Sequence, residues 1–175
     1  MHRRMDSVSQ RMIGAAMLNP DAYEAVERDV KANKTALFIV IGTAIFAGIG
    51  GLTSDGLGGL IGGVIAAIIS WVLYAIAAYV VGTKIFETRA TQSTLGECLR
   101  TLGFAQTPSF FRILSGIPIL GWIIAIVVDI WVFIATVIAL RQALDFTSTG
   151  RAVVTAIVAW IAYIIPYIIL AAIFL

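Results

Sequence analysis

The chain alternates long apolar stretches with short polar segments. Each apolar stretch is close to the ~20 residues that a helix needs to cross a bilayer. Membrane-spanning helices are therefore predicted over residues 35–52, 60–81, 95–115, 119–140 and 152–174. The turn between the third and fourth is so short that these two must form an antiparallel helical hairpin. The predicted fold is an all-α, polytopic integral membrane bundle of five transmembrane helices at residues 35–175, preceded by a short amphipathic helical segment at residues 1–34.

The N-terminal segment places basic residues beside a short apolar patch. Arg3, Arg4 and Arg11 lie next to residues 12–18, which are too few to cross a bilayer. Basic side chains beside an apolar face suit anionic lipid headgroups. One prediction is therefore a helix on the membrane surface with these arginines facing lipid, and the alternative is a helix docked on the bundle.

Two short patterns predict where helices begin. Asn19 can accept a hydrogen bond from a free backbone N–H, and Pro20 suits a first helical position, which needs no N–H of its own. The helix that begins there is interpreted as a solvated one. Thr94 and Glu97 have the spacing of a capping box, in which each side chain satisfies a free N–H at a helix start.

Three prolines predict where the spanning helices bend or begin. Pro108 lies inside the third span, where it should kink the helix and free the carbonyl of Phe104. Pro118 opens the fourth span, and Pro166 predicts a kink in the fifth.

Four glycines near the start of the second span form two overlapping G-x-x-x-G pairs. They are Gly58 with Gly62 and Gly59 with Gly63. Glycines at this spacing let a neighbouring helix approach closely. The interpretation is tight packing inside this bundle, with a dimer interface as the alternative.

Composition supports a membrane protein and excludes several classes of function. Hydrophobic residues make up 60% of the chain and charged residues 13%, about half of the ~25% charge that is usual in soluble domains. A net charge of +2 is too small for a nucleic-acid-binding surface. One cysteine and one histidine cannot form a His/Cys metal site. No motif of a hydrolase, metalloprotease or phosphate-binding loop is present, so no enzyme activity and no cofactor are predicted.

The basic residues predict the topology. Lys and Arg number 12, and Arg112 is the only one that the predicted layout places on the far side of the membrane. Cytoplasmic segments carry the excess of basic residues in membrane proteins. The N-terminus is therefore predicted to be cytoplasmic and the C-terminus external, in a multi-pass protein of the cell (inner) membrane.

Arg112 and Asp129 are the charges inside apolar sequence. At ~1.5 Å per residue in a helix, the turn near Gly116 places them roughly 10 Å apart in depth. A direct ion pair is therefore not expected, and Arg112 is predicted to extend to the outer headgroups as an anchor.

A carboxylate at the depth of Asp129 should face protein or water. Depth counting predicts an intramembrane polar cluster around it. Its other members are Gln106, Thr107, Ser70 and Tyr74, with Thr43 and Tyr163 at the same level. Asp129 is interpreted as a hydrogen-bonded acid that holds helices in register, and a proton or ion relay is the alternative.

Several short motifs resemble the Yip family, the Ypt/Rab-interacting-protein type of membrane protein, and particularly its prokaryotic branch. They are TLGE at 94–97, LGFA at 102–105, Pro108, IPILG at 117–121, Trp131, ALRQAL at 139–144 and Arg151 with Ala152. The resemblance implies five spans and a cytoplasmic N-terminus. In eukaryotic relatives it implies adaptor work on small GTPases and vesicles, but their aspartate-leucine-tyrosine-glycine-proline motif is absent here, so GTPase binding is not carried over.

The function expected from these observations is that of a non-enzymatic membrane scaffold or adaptor that binds lipids and other integral membrane proteins. A second expectation is an accessory subunit of a larger membrane complex. A third is a small transporter or channel that uses the cluster around Asp129. Expected partners are membrane lipids and other membrane proteins, in a hetero-complex or a homodimer, and not nucleic acid.

Overall fold

The computed structural model describes residues 7–51, 56–117 and 119–174, and all regular structure within them is helical. The helices are α1 (Val8–Ala16), α2 (Pro20–Glu27), α3 (Ala32–Gly51), α4 (Gly56–Val80), α5 (Leu95–Ala105), α6 (Gly121–Ala143) and α7 (Thr149–Phe174). A π-helical turn, Val81–Ile85, extends α4, and a 3₁₀ helix, Thr107–Gly116, follows α5. The side chains of residues 50, 51, 166, 167 and 169–174 are outside the description.

Three of the described helices are long and apolar enough to cross a membrane. They are Ala32–Ile49, Gly56–Ile85 and Gly121–Ala143, and a shorter apolar helix covers Thr149–Ile165. The prediction of an all-helical membrane fold is therefore confirmed, while five crossings stay a prediction. The third predicted span, 95–115, is not one helix, because its second half is the 3₁₀ segment.

The change of helix type occurs at Pro108. The α-helix α5 ends at Ala105, and the 3₁₀ helix begins at Thr107 with Pro108 in second position. Pro108 cannot continue the α-helix, because it has no N–H to donate to the carbonyl one turn earlier. The carbonyl of Phe104 instead accepts a hydrogen bond from the Thr107 hydroxyl at 2.6 Å. Pro108 thus ends an α-helix where a kink in a continuous one was predicted. Pro118 lies outside the described residues, and Pro166 falls within α7, where its predicted kink stays a prediction.

The N-terminal helices α1 and α2 form a hairpin that is docked on the bundle. The Tyr23 hydroxyl is buried and donates to the Ala15 carbonyl at 3.0 Å. Asn19 caps α2 by accepting from the Asp21 N–H at 3.0 Å, which confirms the predicted helix start. The interpretation of α2 as a solvated helix is wrong, because Tyr23 and Val26 are fully buried against α5 and α6.

The predicted lipid-facing arginines have different outcomes. Arg3 and Arg4 lie outside the described residues. Arg11 does not point to lipid, because its guanidinium donates to the Asp29 carboxylate at 2.6 Å and its side chain is only 19% exposed. The docked alternative for the N-terminal segment is therefore the one that the structure shows.

Arg100 joins the hairpin to α5. Its side chain is 5% exposed, and its guanidinium donates to the carbonyls of Val26, at 3.1 Å, and Glu27, at 2.6 Å. These carbonyls are at the C-terminal end of α2, where backbone acceptors have no partner inside the helix. A buried cation at this end also interacts favourably with the helix dipole.

Helices pack closely at glycines other than the four of the G-x-x-x-G pairs. A methyl group at Gly103 would lie 2.5 Å from the Cβ of Ala36 and 3.0 Å from its Cα, so α3 and α5 are in close backbone contact there. Among the described residues, nothing lies within 4 Å of a methyl group placed at Gly58, Gly62 or Gly63. Gly59 is exposed as well. The described part of the chain therefore shows no element packed against these four glycines, and their packing inside the bundle stays a prediction.

The contrast between two glycines gives a first test. Gly103→Ala should lower the melting temperature in detergent by several degrees, because overpacking costs about 1–3 kcal/mol and the close contact includes the backbone of Ala36. Gly62→Ala is the matched control and should leave the melting temperature unchanged or raise it, since alanine is favoured over glycine in a helix by about 1 kcal/mol. Equal effects of the two changes would contradict this packing.

Candidate functional site

A cavity of about 880 Å³ lies between α3, α4, the 3₁₀ helix, α6 and α7. It is partly open. Most of the polar residues that were predicted to cluster around Asp129 line it. The predicted members that line it are Thr43, Ser70, Tyr74, Gln106, Asp129 and Tyr163. Thr107 does not line it, because its hydroxyl is bonded to the Phe104 carbonyl beside the proline.

The neutral polar side chains of the cavity bond to other protein groups. The Tyr163 hydroxyl donates to the Ser70 hydroxyl at 2.9 Å, and the Tyr74 hydroxyl donates to the Ala156 carbonyl at 3.2 Å. Both bonds run between α4 and α7. Because polar groups without partners are costly in an apolar surrounding, these bonds make the wall of the cavity stable without a ligand.

Most of the remaining wall is apolar. The larger apolar side chains include Val40, Trp71, Leu102, Phe133, Ile157 and Trp160. A concave and mainly apolar surface with a few polar groups is the usual lining of a small-molecule site. The arrangement therefore suits an amphiphilic molecule, with an apolar part and a polar group.

Arg112 and Asp129 form an ion pair in the wall of this cavity. The Arg112 guanidinium donates a hydrogen bond to Oδ1 of Asp129, and the two side chains are 34% and 57% exposed. The prediction that Arg112 extends away to the outer headgroups is thus not what the structure shows.

The reason lies in the geometry of the two helices. Arg112 is four residues from the end of the 3₁₀ helix at Gly116, which is ~8 Å at ~2.0 Å per residue. Asp129 is eight residues from the start of α6 at Gly121, which is ~12 Å at ~1.5 Å per residue. The depths differ by ~4 Å, a gap that long side chains can span.

Sequence reasoning missed one polar residue of the site, Ser109, and did not expect the pairing of Arg112 with Asp129. Ser109 donates to the Gln106 side chain at 3.2 Å, and both line the cavity. The break at Pro108 was the signal that could have found them, because a 3₁₀ helix has three residues per turn and presents a different set of side chains.

A second, smaller cavity of about 310 Å³ lies where α2 meets the end of α6. Its charged lining includes Glu24, Glu27, Arg141 and Asp145. Burial raises the pKa of Glu27 from 4.5 to about 7, and the negative charges of Asp145 and Glu97 contribute, against a lowering effect of Arg100. Among the residues that the structure describes, no three His, Cys, Asp or Glu side chains are grouped so that they could hold a metal ion.

Comparison with known proteins gives one match. The family model described as Yip1 domain matches residues 15–171. The matched range contains the described lining of both cavities and all of the helices except residues 8–14 of α1 and 172–174 of α7. No curated protein and no solved structure matches the chain.

The ion pair can be tested with a double-mutant cycle. We expect the single changes Arg112→Gln and Asp129→Asn each to lower the melting temperature, because each leaves one charge unpaired. The double change should cost clearly less than the sum of the two, with a coupling of about 1 kcal/mol or more for side chains in one ion pair. Additive effects would contradict a direct bond between Arg112 and Asp129.

The raised pKa of Glu27 predicts a pH dependence. A carboxyl group with a higher pKa in the folded state than the unfolded 4.5 contributes stability below pH 4.5, and that contribution is lost as the pH rises through 7. Glu27→Gln should therefore raise the melting temperature at pH 8 and leave it unchanged at pH 4. Glu24→Gln on the same helix, where Glu24 pairs with Arg28 at the surface, is the control and should show no such gain.

Proposed function

The chain belongs to the Yip1 domain family, and from that premise we propose that it is a non-enzymatic membrane scaffold or adaptor. It binds lipids and other integral membrane proteins, as a member of the prokaryotic branch. The observation that carries the proposal is the cavity between α3, α4, the 3₁₀ helix, α6 and α7, which is partly open, amphiphilic in its lining and internally hydrogen-bonded.

The chemistry of the cavity supports binding over catalysis. Its tyrosines donate to a hydroxyl and to a backbone carbonyl, and its one described carboxylate, Asp129, accepts from Arg112. A nucleophile needs a base within hydrogen-bonding reach, and no described hydroxyl of this wall donates to that carboxylate. The site can hold a molecule without a group placed to react with it.

The N-terminal hairpin of α1 and α2 gives a second argument for contact with lipid. The Trp131 indole donates to the Ala16 carbonyl at 2.7 Å, and Trp131 is about 18 Å along α6 from its end at Ala143. Ile13 and Met17, near the tip of the hairpin, are 59% and 74% exposed. Apolar side chains at that depth beside a spanning helix suit the acyl chains of the leaflet.

An accessory subunit of a larger membrane complex is the second candidate. The specific observation in its favour is the glycine surface of α4, formed by Gly58, Gly59, Gly62 and Gly63, which no described element of the chain covers. Small residues allow close approach of a helix from another chain. The same surface suits a homodimer.

A small transporter or channel that uses the cluster around Asp129 is the third candidate. It is weaker, because a relay usually needs a chain of ionisable groups, and the described lining adds only the paired Arg112 to Asp129. Ion flux through liposomes that is lost in Asp129→Asn, with folding intact, would favour it. The proposed location is the cell membrane with a cytoplasmic N-terminus and an external C-terminus.

Purification in a mild detergent followed by native mass spectrometry tests the proposal. We expect the 18.7 kDa chain as a monomer or homodimer that retains lipid, with other membrane proteins at variable stoichiometry, since adaptor contacts are reversible. One other protein at a constant ratio in every preparation would overturn the adaptor proposal in favour of the accessory subunit.

A further inference from the structure

The ion pair in the cavity has unused binding capacity on both of its members. Within the described part of the chain, Arg112 uses only Nη2 of its guanidinium, which has five N–H donors, and Asp129 uses only Oδ1. The two side chains are 34% and 57% exposed, and both line the cavity. One cation and one anion therefore stand side by side with free donors and a free acceptor.

We propose that this cavity binds a single phospholipid with a zwitterionic headgroup that carries a primary ammonium, of the phosphatidylethanolamine class. Its phosphate accepts hydrogen bonds from Arg112, and its ammonium donates to Asp129. The proposal rests on the lipid-binding part of the proposed function and names the ligand.

Charge complementarity selects the class of headgroup. An arginine presents several N–H groups that match phosphate oxygens. An anionic headgroup such as phosphatidylglycerol would satisfy Arg112 but would bring a second negative charge next to Asp129. A headgroup with both signs matches the pair without leaving a net charge in an apolar surrounding, where an uncompensated charge is costly.

Hydrogen bonding separates the two common zwitterionic headgroups. A primary ammonium can donate three hydrogen bonds, and the free Oδ2 of Asp129 can accept one. The quaternary ammonium of phosphatidylcholine has no N–H and is bulkier. The Asp129 carboxylate therefore discriminates between two lipids that have the same net charge.

The rest of the cavity fits the remainder of such a lipid. Leu102, Phe133 and Trp160 contribute to the apolar wall of the cavity, which is partly open. Its 880 Å³ is within the ~300–1,000 Å³ of small-molecule sites, which is enough for a headgroup and part of its chains. The remaining acyl chain length would leave through the opening into the bilayer.

The experiment is a native mass spectrometry titration of the full chain with three lipids of identical acyl chains. They are phosphatidylethanolamine, phosphatidylcholine and phosphatidylglycerol. We expect one phosphatidylethanolamine per chain, bound about tenfold more tightly than either of the others, since one charge-assisted hydrogen bond separates the zwitterions. Equal retention of the three would overturn the inference and leave general lipid binding intact.

Variants of the pair assign the two contacts. Asp129→Asn should remove the preference for phosphatidylethanolamine over phosphatidylcholine, and Arg112→Gln should weaken all three lipids. If either single change prevents folding, the double change Arg112→Gln with Asp129→Asn leaves no unpaired charge, and it should abolish the preference and weaken the binding of all three lipids. A preference that persists in the double variant would overturn the inference. Arg28→Gln with Glu24→Gln, an ion pair outside the cavity, is the matched control and should keep the wild-type preference.

The remaining outcomes separate this inference from the function on which it rests. If the chain retains no lipid at all but binds membrane proteins, then both this inference and the lipid-binding part of the function fail. If a helix of a partner protein protects the cavity from lipid at every concentration, then the inference fails and an accessory subunit is favoured.

Discussion

The rest of the structure depends on the missing N–H of Pro108. Without that donor the α-helix α5 ends at Ala105, and the chain continues as a 3₁₀ helix to Gly116. The Thr107 hydroxyl satisfies the carbonyl of Phe104, so the break leaves this acceptor bonded. Because a 3₁₀ helix rises faster per residue, the residues after the break lie at other depths than a continuous α-helix would give them.

The α-helical half and the 3₁₀ half of residues 95–116 make different contacts. The α-helical half carries Arg100, whose buried guanidinium binds the end of α2, and Gly103, which contacts the backbone of α3. The 3₁₀ half carries Ser109 and Arg112 into the wall of the large cavity. The first half fixes the N-terminal hairpin to the bundle, and the second half places a cation opposite Asp129, where a ligand with two charges can bind.

Sequence reasoning predicted what depends on local chemistry and apolar length. The positions of α3, α4, α6 and α7 and the caps at Asn19 and Thr94 follow from such rules. Counting residues along each span at a fixed rise per residue also predicted that most of the polar residues around Asp129 lie at one depth. It misplaced Arg112 mainly because the residues of the turn between Gly116 and Gly121 were counted as helical rise, and to a smaller extent because one rise per residue was used for both arms of the hairpin. Sequence reasoning could not assign a partner to the G-x-x-x-G glycines, which no described element covers, since a stripe of small residues indicates a face that a helix can approach but not which helix does so.

Cysteine cross-linking measures the depth of the 3₁₀ helix most directly. In a Cys98→Ser background, which removes the described free thiol, two double variants combine Asp129→Cys with either Arg112→Cys or Thr107→Cys. The account predicts rapid linkage of positions 112 and 129 by a short bifunctional reagent, and little linkage of positions 107 and 129. A continuous α-helix would bring position 107 level with position 129, so the reverse result would contradict the break at Pro108 as the basis of the site.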